Sequence, residues 1–270
     1  MHGLANHALP CTSVQERAAL LSAERRQEIL GRLGRDGKVV AARLVDELGV
    51  SEDTIRRDLR ELAARGLVQR VHGGALLPAP QPGTFADRAE TCTEEKAALA
   101  RAAVAVLGDA RVVLIDGSTT NLELARRLPA EPARTVLTNS PPIAAQLASH
   151  PSAQVIQIGG TLDKQASVTV GAHAVDFIRS VRADACVLGV CALHPELGLS
   201  TNDLEEAHVK RAMVAASADV IALATADKLL AGGPYVVAAV TELTHLVAET
   251  AAADALLDPY RAAGVSVTRA

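Results

Sequence analysis

The sequence predicts two units of different class: an α+β winged helix-turn-helix head, then an α/β domain built on a mainly parallel sheet. Three observations carry this reading. A capped, arginine-rich amphipathic stretch, Ser51 to Gly74, ends in a Gly-Gly turn between two short apolar runs. A Pro/Gly-rich connector, Pro78-Ala79-Pro80-Gln81-Pro82-Gly83, changes the texture of the chain near residue 80, and neither a helix nor a central strand tolerates it. Beyond it, apolar strand-like runs alternate with helical patterns, as strands covered by helices on both faces require.

The expected organisation is a flexible tail over residues 1–22, a head over 23–78, a linker over 79–93 and a second domain over 94–270. In the head, Glu24 to Leu33 is helical, with Ile29, Leu30 and Leu33 on one face and Gly34 and Gly37 closing it. Val40 to Leu48 is a second helix, turning Ala41, Leu44, Val45 and Leu48 inward, and Gly49 suits the left-handed residue that ends it. The third helix starts at Ser51, whose hydroxyl can accept a first-turn N–H, while Glu52 and Asp53 oppose the helix dipole. Ile55, Leu59 and Leu62 share its buried face; Arg57 and Arg60 lie opposite, with Arg56 on the flank. Leu67 to Val71, the turn His72-Gly73-Gly74 and Ala75 to Leu77 form a hairpin, the wing.

The second domain opens with a helix from Glu94 to Leu107, with Ala98, Ala102 and Val106 on one face. Strands follow at 112–115, 135–137, 154–158, 185–190, 220–224 and 235–240. Leu246 to Ala248 and Val265 to Val267, around a helix near Asp254 to Ala263, complete an edge.

The 270 residues, 49% hydrophobic, can bury a sizeable core. Net charge is -4, but between Ala23 and Pro78 eleven Lys/Arg stand against nine Asp/Glu, so the basic excess belongs to the head. Cys11, Cys92, Cys186 and Cys191 form no CxxC pair and no zinc-type cluster. They read as reduced thiols of a cytoplasmic protein, with no metal and no cofactor implied. No charge-free apolar run is long enough to span a bilayer, so no membrane partner is expected. Two Phe, two Tyr and no Trp leave little for base stacking, so duplex DNA is favoured over single strands or RNA.

For DNA, Thr54, Arg56 and Arg57 are the candidates for base edges or adjacent phosphates, because a guanidinium can pair with guanine in two bonds or clamp a phosphate. Arg60, Arg70 and His72 suit the DNA backbone; Lys38, Ser51, Gly73 and Gly74 complete the candidate interface. Asp58, beside the core face, is an intradomain partner for an arginine rather than a DNA contact. For a ligand, the strand-to-helix turn Asp116-Gly117-Ser118-Thr119-Thr120-Asn121 offers N–H groups, hydroxyls and a helix N-terminus at a strand's carboxyl end. It is neither a Walker loop nor a dinucleotide fingerprint. Asn139 and Ser140, Gly159 and Gly160, and Lys228 stand at other strand ends. Lys210 and Arg211 either close the pocket or form a solvated face in which Glu206 pairs with Lys210.

The segments RRQEIL and LVDELGVSEDTIRRDLRELAARGLVQRVHGGA together resemble the head of the DeoR family of bacterial transcriptional regulators, with the TIRRDL and RVHGGA blocks unbroken. IDGSTTN, LTNSPPIA, IGGTL, ADACVLGV, GLSTNDLEEAHVKRAM and ALATADKL resemble, in order, the sensor domain of the same family. That domain is similar to sugar-phosphate isomerase and CoA transferase-like folds. The resemblance implies a repressor of a sugar or related carbon operon, whose duplex DNA operator is released on binding a phosphorylated sugar or similar effector, and which works as a homodimer or homotetramer. Two positions depart from the family: Ser118 stands where a second glycine is common, and Thr225 where an aspartate is common, three residues before Lys228. The second departure predicts a pocket short of one carboxylate. Two other readings stay open. One is an isomerase using Asp116, Asp203 or His208; the other is a DNA-binding scaffold without effector.

Overall fold

The computed structural model describes residues 21–80 and 83–270. The expected tail, apart from its last two residues, and Cys11 lie outside the described residues.

In the head, α1 (Ser22–Asp36) is followed by β1 (Lys38–Val40), α2 (Ala41–Leu48), α3 (Glu52–Ala64), β2 (Gln69–Val71) and β3 (Gly74–Pro78). Ile29 and Leu33 of α1, Leu44 of α2 and Ile55, Leu59 and Leu62 of α3 close one apolar core. Helix α1 runs through Gly34, and Gly37 alone ends it, at φ 71°. Its C-cap N–H bonds the Leu33 carbonyl, so the residue must be left-handed. Strand β1, not expected from the sequence, pairs antiparallel with β3, Val40 opposite Gly74. The wing is the β2–β3 pair, with Val71 opposite Gly74.

The rest of the chain runs through α4 (Phe85–Ala89), α5 (Thr93–Leu107), β4 (Val112–Ile115), α6 (Thr119–Arg127), β5 (Thr135–Thr138), α7 (Pro141–Leu147), β6 (Gln154–Gln157), β7 (Thr161–Asp163), β8 (Val168–Val170), α8 (Ala172–Arg179) and β9 (Ala183–Gly189). Then come β10 (Ala192–His194), β11 (Gly198–Thr201), α9 (Leu204–Ala216), β12 (Ser217–Ala224), β13 (Ala231–Gly232), β14 (Tyr235–Ala238), β15 (His245–Ala248), α10 (Asp254–Ala262) and β16 (Ser266–Arg269).

Seven strands make one sheet in the order β16-β15-β12-β9-β4-β5-β6, every pair parallel. Strand alternation sends Leu114, Cys186, Leu188 and Ala222 to one apolar layer. Val113, Ile115, Val187 and Ile221 go to the other. The strand order reverses between β4 and β9, and a crevice opens at their carboxyl ends for that reason.

Three expectations are corrected. The buried stripe of α5 is Lys96, Leu99, Ala100, Ala103 and Leu107, with Ala98, Ala102 and Val106 only partly buried. The run at 235–240 leaves the parallel sheet: β14 pairs antiparallel with β11 in a separate sheet, β10-β11-β14. Pro78, read as connector, is the last residue of β3 and pairs in parallel with Gly232 of β13. A proline fits there because it is Ala79 N that donates to Gly232 O, at 3.0 Å. Among the described residues, no helix is long and apolar enough to cross a membrane.

Candidate functional site

The outer face of α3 and the wing form one surface. Ser51 caps the helix, its Oγ accepting from Thr54 N at 3.2 Å and lying 2.9 Å from Thr54 Oγ1, so its hydroxyl is committed locally. Arg56, Arg57 and Arg60 are exposed on α3, and Arg70, His72 and Gly73 on the wing. A cleft of about 340 Å³ lies between the two elements, lined by Glu52, Arg56 and Leu59 on one side and Arg70 to Gly74 on the other. Arg56 pairs with Glu52 at 2.6 Å and Arg57 with Asp53 at 3.7 Å. Such exposed pairs contribute only about 0–1 kcal/mol and yield readily to a phosphate.

Asp58 does what its phase predicts: it is buried and accepts from Arg25 Nε at 2.5 Å, fastening α3 to α1. One member of the predicted interface is placed elsewhere, and another serves the packing of the head. Lys38 pairs with Glu196, beyond the head. Gly74 is buried, and a Cβ there would stand 1.9 Å from the Val39 carbonyl oxygen, so β1 packing explains this glycine.

The second site is a cavity of about 550 Å³ at the carboxyl ends of the central strands. Gly117, Ser118, Thr119 and Thr120 form part of its wall, with Gly189 to Cys191, Lys210, Thr225, Asp227 and Lys228. The segment Gly83 to Lys96 contributes Asp87, Arg88 and Lys96. The β4–α6 turn is threaded tightly: a Cβ at Gly117 would meet Val168 Cγ1 at 2.0 Å, and one at Gly189 would meet Ser118 Cβ at 2.4 Å. Ser118 therefore fits where the family often has glycine because residue 189 is glycine. Its Oγ caps α6, accepting from Asn121 N at 3.0 Å.

Asp116 and Lys210 make a buried ion pair; Asp116 Oδ2 also accepts from Gly189 N at 3.0 Å, and Lys210 Nζ donates to Gly189 O at 3.2 Å. Burial works against the Lys210 charge, but Asp116 and then Glu206 outweigh it and hold its pKa above the ordinary lysine value. Glu206 does pair with Lys210, at 3.9 Å, but the face is not solvated: Lys210 is only 3% exposed. Arg211 donates instead to Val236 O. Burial raises the Glu206 carboxyl, against the pull of Lys210.

Asn139, Ser140, Gly159 and Gly160 do not line the cavity. Asn139 is buried behind the turn, its Oδ1 accepting from Gly117 N at 3.1 Å and its Nδ2 donating to Thr169 O at 3.3 Å. It shapes the turn from outside. Ser140 is buried as the N-cap of α7. Gly160 is held at φ 141°, where a Cβ would stand 2.5 Å from Val170 O in the β7–β8 pair.

The pocket is not short of a carboxylate at the Thr225 position. Thr225 Oγ1 donates to Asp227 Oδ1 at 2.5 Å, and Lys228 Nζ pairs with Asp227 Oδ2 at 3.0 Å. Burial pushes the Asp227 carboxyl up, yet these two hydrogen bonds prevail and hold it below the usual carboxylate value. Asp203, a candidate base, is the N-cap of α9, Oδ1 accepting from Glu206 N at 2.8 Å, and His208 is exposed. Burial pushes the Cys191 thiol up, against the pull of Lys210. Among the described residues, no group of His, Cys, Asp or Glu is disposed to hold a metal ion.

Lys96 was missed by the sequence reading. It is 7% exposed and donates to the carbonyls of Arg88 and Thr91, the latter at 2.6 Å. Its signal was the apolar stripe 96, 99, 100, 103, 107, which places it on the buried face of α5.

The model of the DeoR-like helix-turn-helix domain matches residues 25–81, and that of the DeoR C terminal sensor domain matches residues 91–250. The chain is 39% identical to the HTH-type transcriptional regulator GlpR of Haloferax volcanii over 78% of this chain and 83% of that protein. It is 33% identical to the glycerol-3-phosphate regulon repressor of Escherichia coli, over 73% of this chain and 79% of that protein. Among solved structures, ribose 5-phosphate isomerase A of Methanocaldococcus jannaschii shares 10% identity at TM-score 0.37, covering 50% of this chain and 54% of that one. That likeness is too slight to carry a fold assignment.

Proposed function

The chain belongs to the DeoR family and is a DNA-binding transcriptional regulator; we propose that it represses an operon of sugar or related carbon metabolism and that a phosphorylated sugar or similar metabolite in the cavity lifts the repression. In this reading Thr54, Arg56 and Arg57 meet base edges and nearby phosphates, while Arg60, Arg70 and His72 hold the DNA backbone. One head covers one half-site, so the working unit is a homodimer or homotetramer. The open N–H groups at the start of α6 receive the phosphate, and Lys228 with Asp227 holds the remainder of the ligand.

One observation carries the coupling. Residues 227–232 run from the cavity to the head without interruption: Asp227 and Lys228 line the cavity, and Ala231 and Gly232 pair with Leu77 and Pro78 of the strand that leaves the wing. A ligand that draws Lys228 away from Asp227 moves the segment that grips β3. For this to release DNA, the ligand must bind one arrangement more tightly than the other.

A binding role rather than catalysis is favoured by the placement of the three candidate acid-base groups. Asp116 is neutralised by Lys210, Asp203 is spent as a cap, and His208 is on the surface. The test is a thermal-shift screen of sugar phosphates on the purified chain, followed by an operator gel shift. A regulator gains stability with a ligand by mass action and then releases DNA. A chain that responds to none is a scaffold, and one that turns a sugar phosphate over is an enzyme.

A further inference from the structure

The cations of the cavity are unequal. Lys210 is matched by Asp116, and Lys228 by Asp227. Lys96 and Arg88 line the same wall, yet neither has a carboxylate within ion-pair distance among the described residues. Arg88 is half-buried and turned partly onto its own segment, donating to Gly83 O at 3.2 Å. Lys96 is buried, and an uncompensated buried charge is costly.

An ammonium has three N–H donors. Two of those on Lys96 meet the carbonyls of Arg88 and Thr91, which fastens the end of α4 and the turn after it to α5 at the cavity wall. The third has no partner among the described residues. Fastening two carbonyls requires donors but no charge, so the clamp accounts for the hydrogen bonds and leaves the charge unexplained. Burial, with repulsion from Lys228 and Arg88, holds the Lys96 pKa below the ordinary lysine value, against the attraction of Cys92 and Asp227. An anion beside it would reverse that shift.

We propose that Lys96 is the anion-binding cation of the cavity: its third N–H is completed by an oxygen of a phosphate monoester dianion, whose other oxygens meet the N–H groups at the start of α6. This rests on the reading of the cavity as the ligand site. It assigns the charged contact to a residue of α5 rather than to Lys210, so that the ligand binds where Lys96 holds the Arg88–Thr91 stretch.

The test is calorimetric titration of the full chain with inorganic phosphate. Lys96→Gln keeps an N–H donor for the two carbonyls and removes the charge. Phosphate is expected to bind the wild type and to bind the folded Lys96→Gln protein at least about tenfold more weakly, as for loss of a charge-assisted hydrogen bond. Equal affinity overturns the role of Lys96 and leaves the cavity reading standing; no binding of phosphate by the wild type overturns both.

If Lys96→Gln does not fold, a pH series on a Cys92→Ser, Lys228→Gln protein decides. The charged and titratable groups facing the ammonium are Arg88, Cys92, Asp227 and Lys228. With Cys92 and Lys228 replaced, and with burial pushing the Cys191 thiol up, Lys96 is the cavity cation that burial makes first to lose its proton as pH rises toward the ordinary lysine value. Affinity for phosphate is expected to fall with that loss. A flat profile overturns the proposal.

Discussion

Leu230 is seated directly on Gly37: a Cβ built at Gly37 would stand 2.5 Å from the Leu230 Cβ and 2.8 Å from the Leu230 carbonyl oxygen. Gly37 ends α1 and its carbonyl accepts from Leu77 N at 2.9 Å, while Leu230, at φ 61°, leads into β13. The contact joins the first helix of the head, the strand that leaves the wing and the segment that carries Lys228.

Gly37→Ala therefore meets two obstacles, a left-handed φ of 71° and a neighbour that cannot withdraw. Overpacking and backbone strain of this kind cost about 1–3 kcal/mol each. Chemical denaturation is expected to show a loss of about 2–6 kcal/mol, the two costs together. Operator binding by the folded fraction is expected to become less responsive to ligand, because the junction no longer closes in one way.

Asp58 is a second point of dependence. Its carboxylate and the Arg25 guanidinium are both buried, and removing Asp58 takes away the buried carboxylate that Arg25 Nε donates to. Breaking a buried pair costs about 3–5 kcal/mol. Asp58→Ala is expected to lose operator binding through unfolding of the head, seen as loss of helical circular dichroism at a temperature where the wild type is folded.

Arg57→Ala should act in the opposite manner, with the fold intact and the operator lost. Among the described residues its only partner is the exposed Asp53, at 3.7 Å, so the change in stability is expected within about 0.5 kcal/mol. Operator-specific binding is expected to disappear, by about 1–3 kcal/mol or more for a base contact. If Arg57 instead meets a phosphate, the logarithmic salt slope of binding falls by about 1. Unchanged affinity in a gel shift would remove Arg57 from the interface.

The elements of the head were legible because each announces itself within one turn of chain. Ser51, Glu52 and Asp53 mark a helix start, and Ile55, Leu59 and Leu62 share one phase. The sheet strands were legible as apolar runs, but their partners were not: nothing local in 235–240 says that β14 leaves the main sheet for β11. Pro78 was read as a stop because proline is poor in a sheet interior, whereas at the end of β3 its missing N–H is not needed. Of the cavity, Gly117 to Thr120 and Lys228 were visible as polar groups at strand ends. Asn139, Ser140, Gly159 and Gly160 look the same in sequence and fall behind the wall, since only the three-dimensional course of the turn separates lining from support. Lys96 is not legible as a cavity residue, because lysine is mostly found on solvated faces and only the phase of Leu99, Ala100, Ala103 and Leu107 turns it inward.

Acid should loosen the junction. His194 is 2% exposed; its Nδ1 accepts from Glu196 N at 3.1 Å, and Glu196 pairs with Lys38 of the head. Burial foremost, with repulsion from Lys38, lowers the His194 pKa despite the attraction of Glu196. The folded pKa thus lies below the unfolded one, so the unfolded chain takes up the proton first as pH falls. The stabilisation is complete above about pH 6.5 and declines below it until the folded pKa is reached. The loss is about 1.4 kcal/mol for each unit separating the two values. Melting temperatures between pH 7 and 5, compared with His194→Asn, are the check: the wild type is expected to fall more steeply, and parallel curves would count against it.

In the proposed reading the cavity and the DNA-binding head communicate through residues 227–232. Hydrogen exchange at the Leu77 and Ala79 amides, which donate to Gly37 O and Gly232 O, reads that junction directly. With whichever phosphorylated ligand releases the operator, exchange at these two amides is expected to change together with that of the wing. Release of the operator with unaltered exchange at both amides would contradict it.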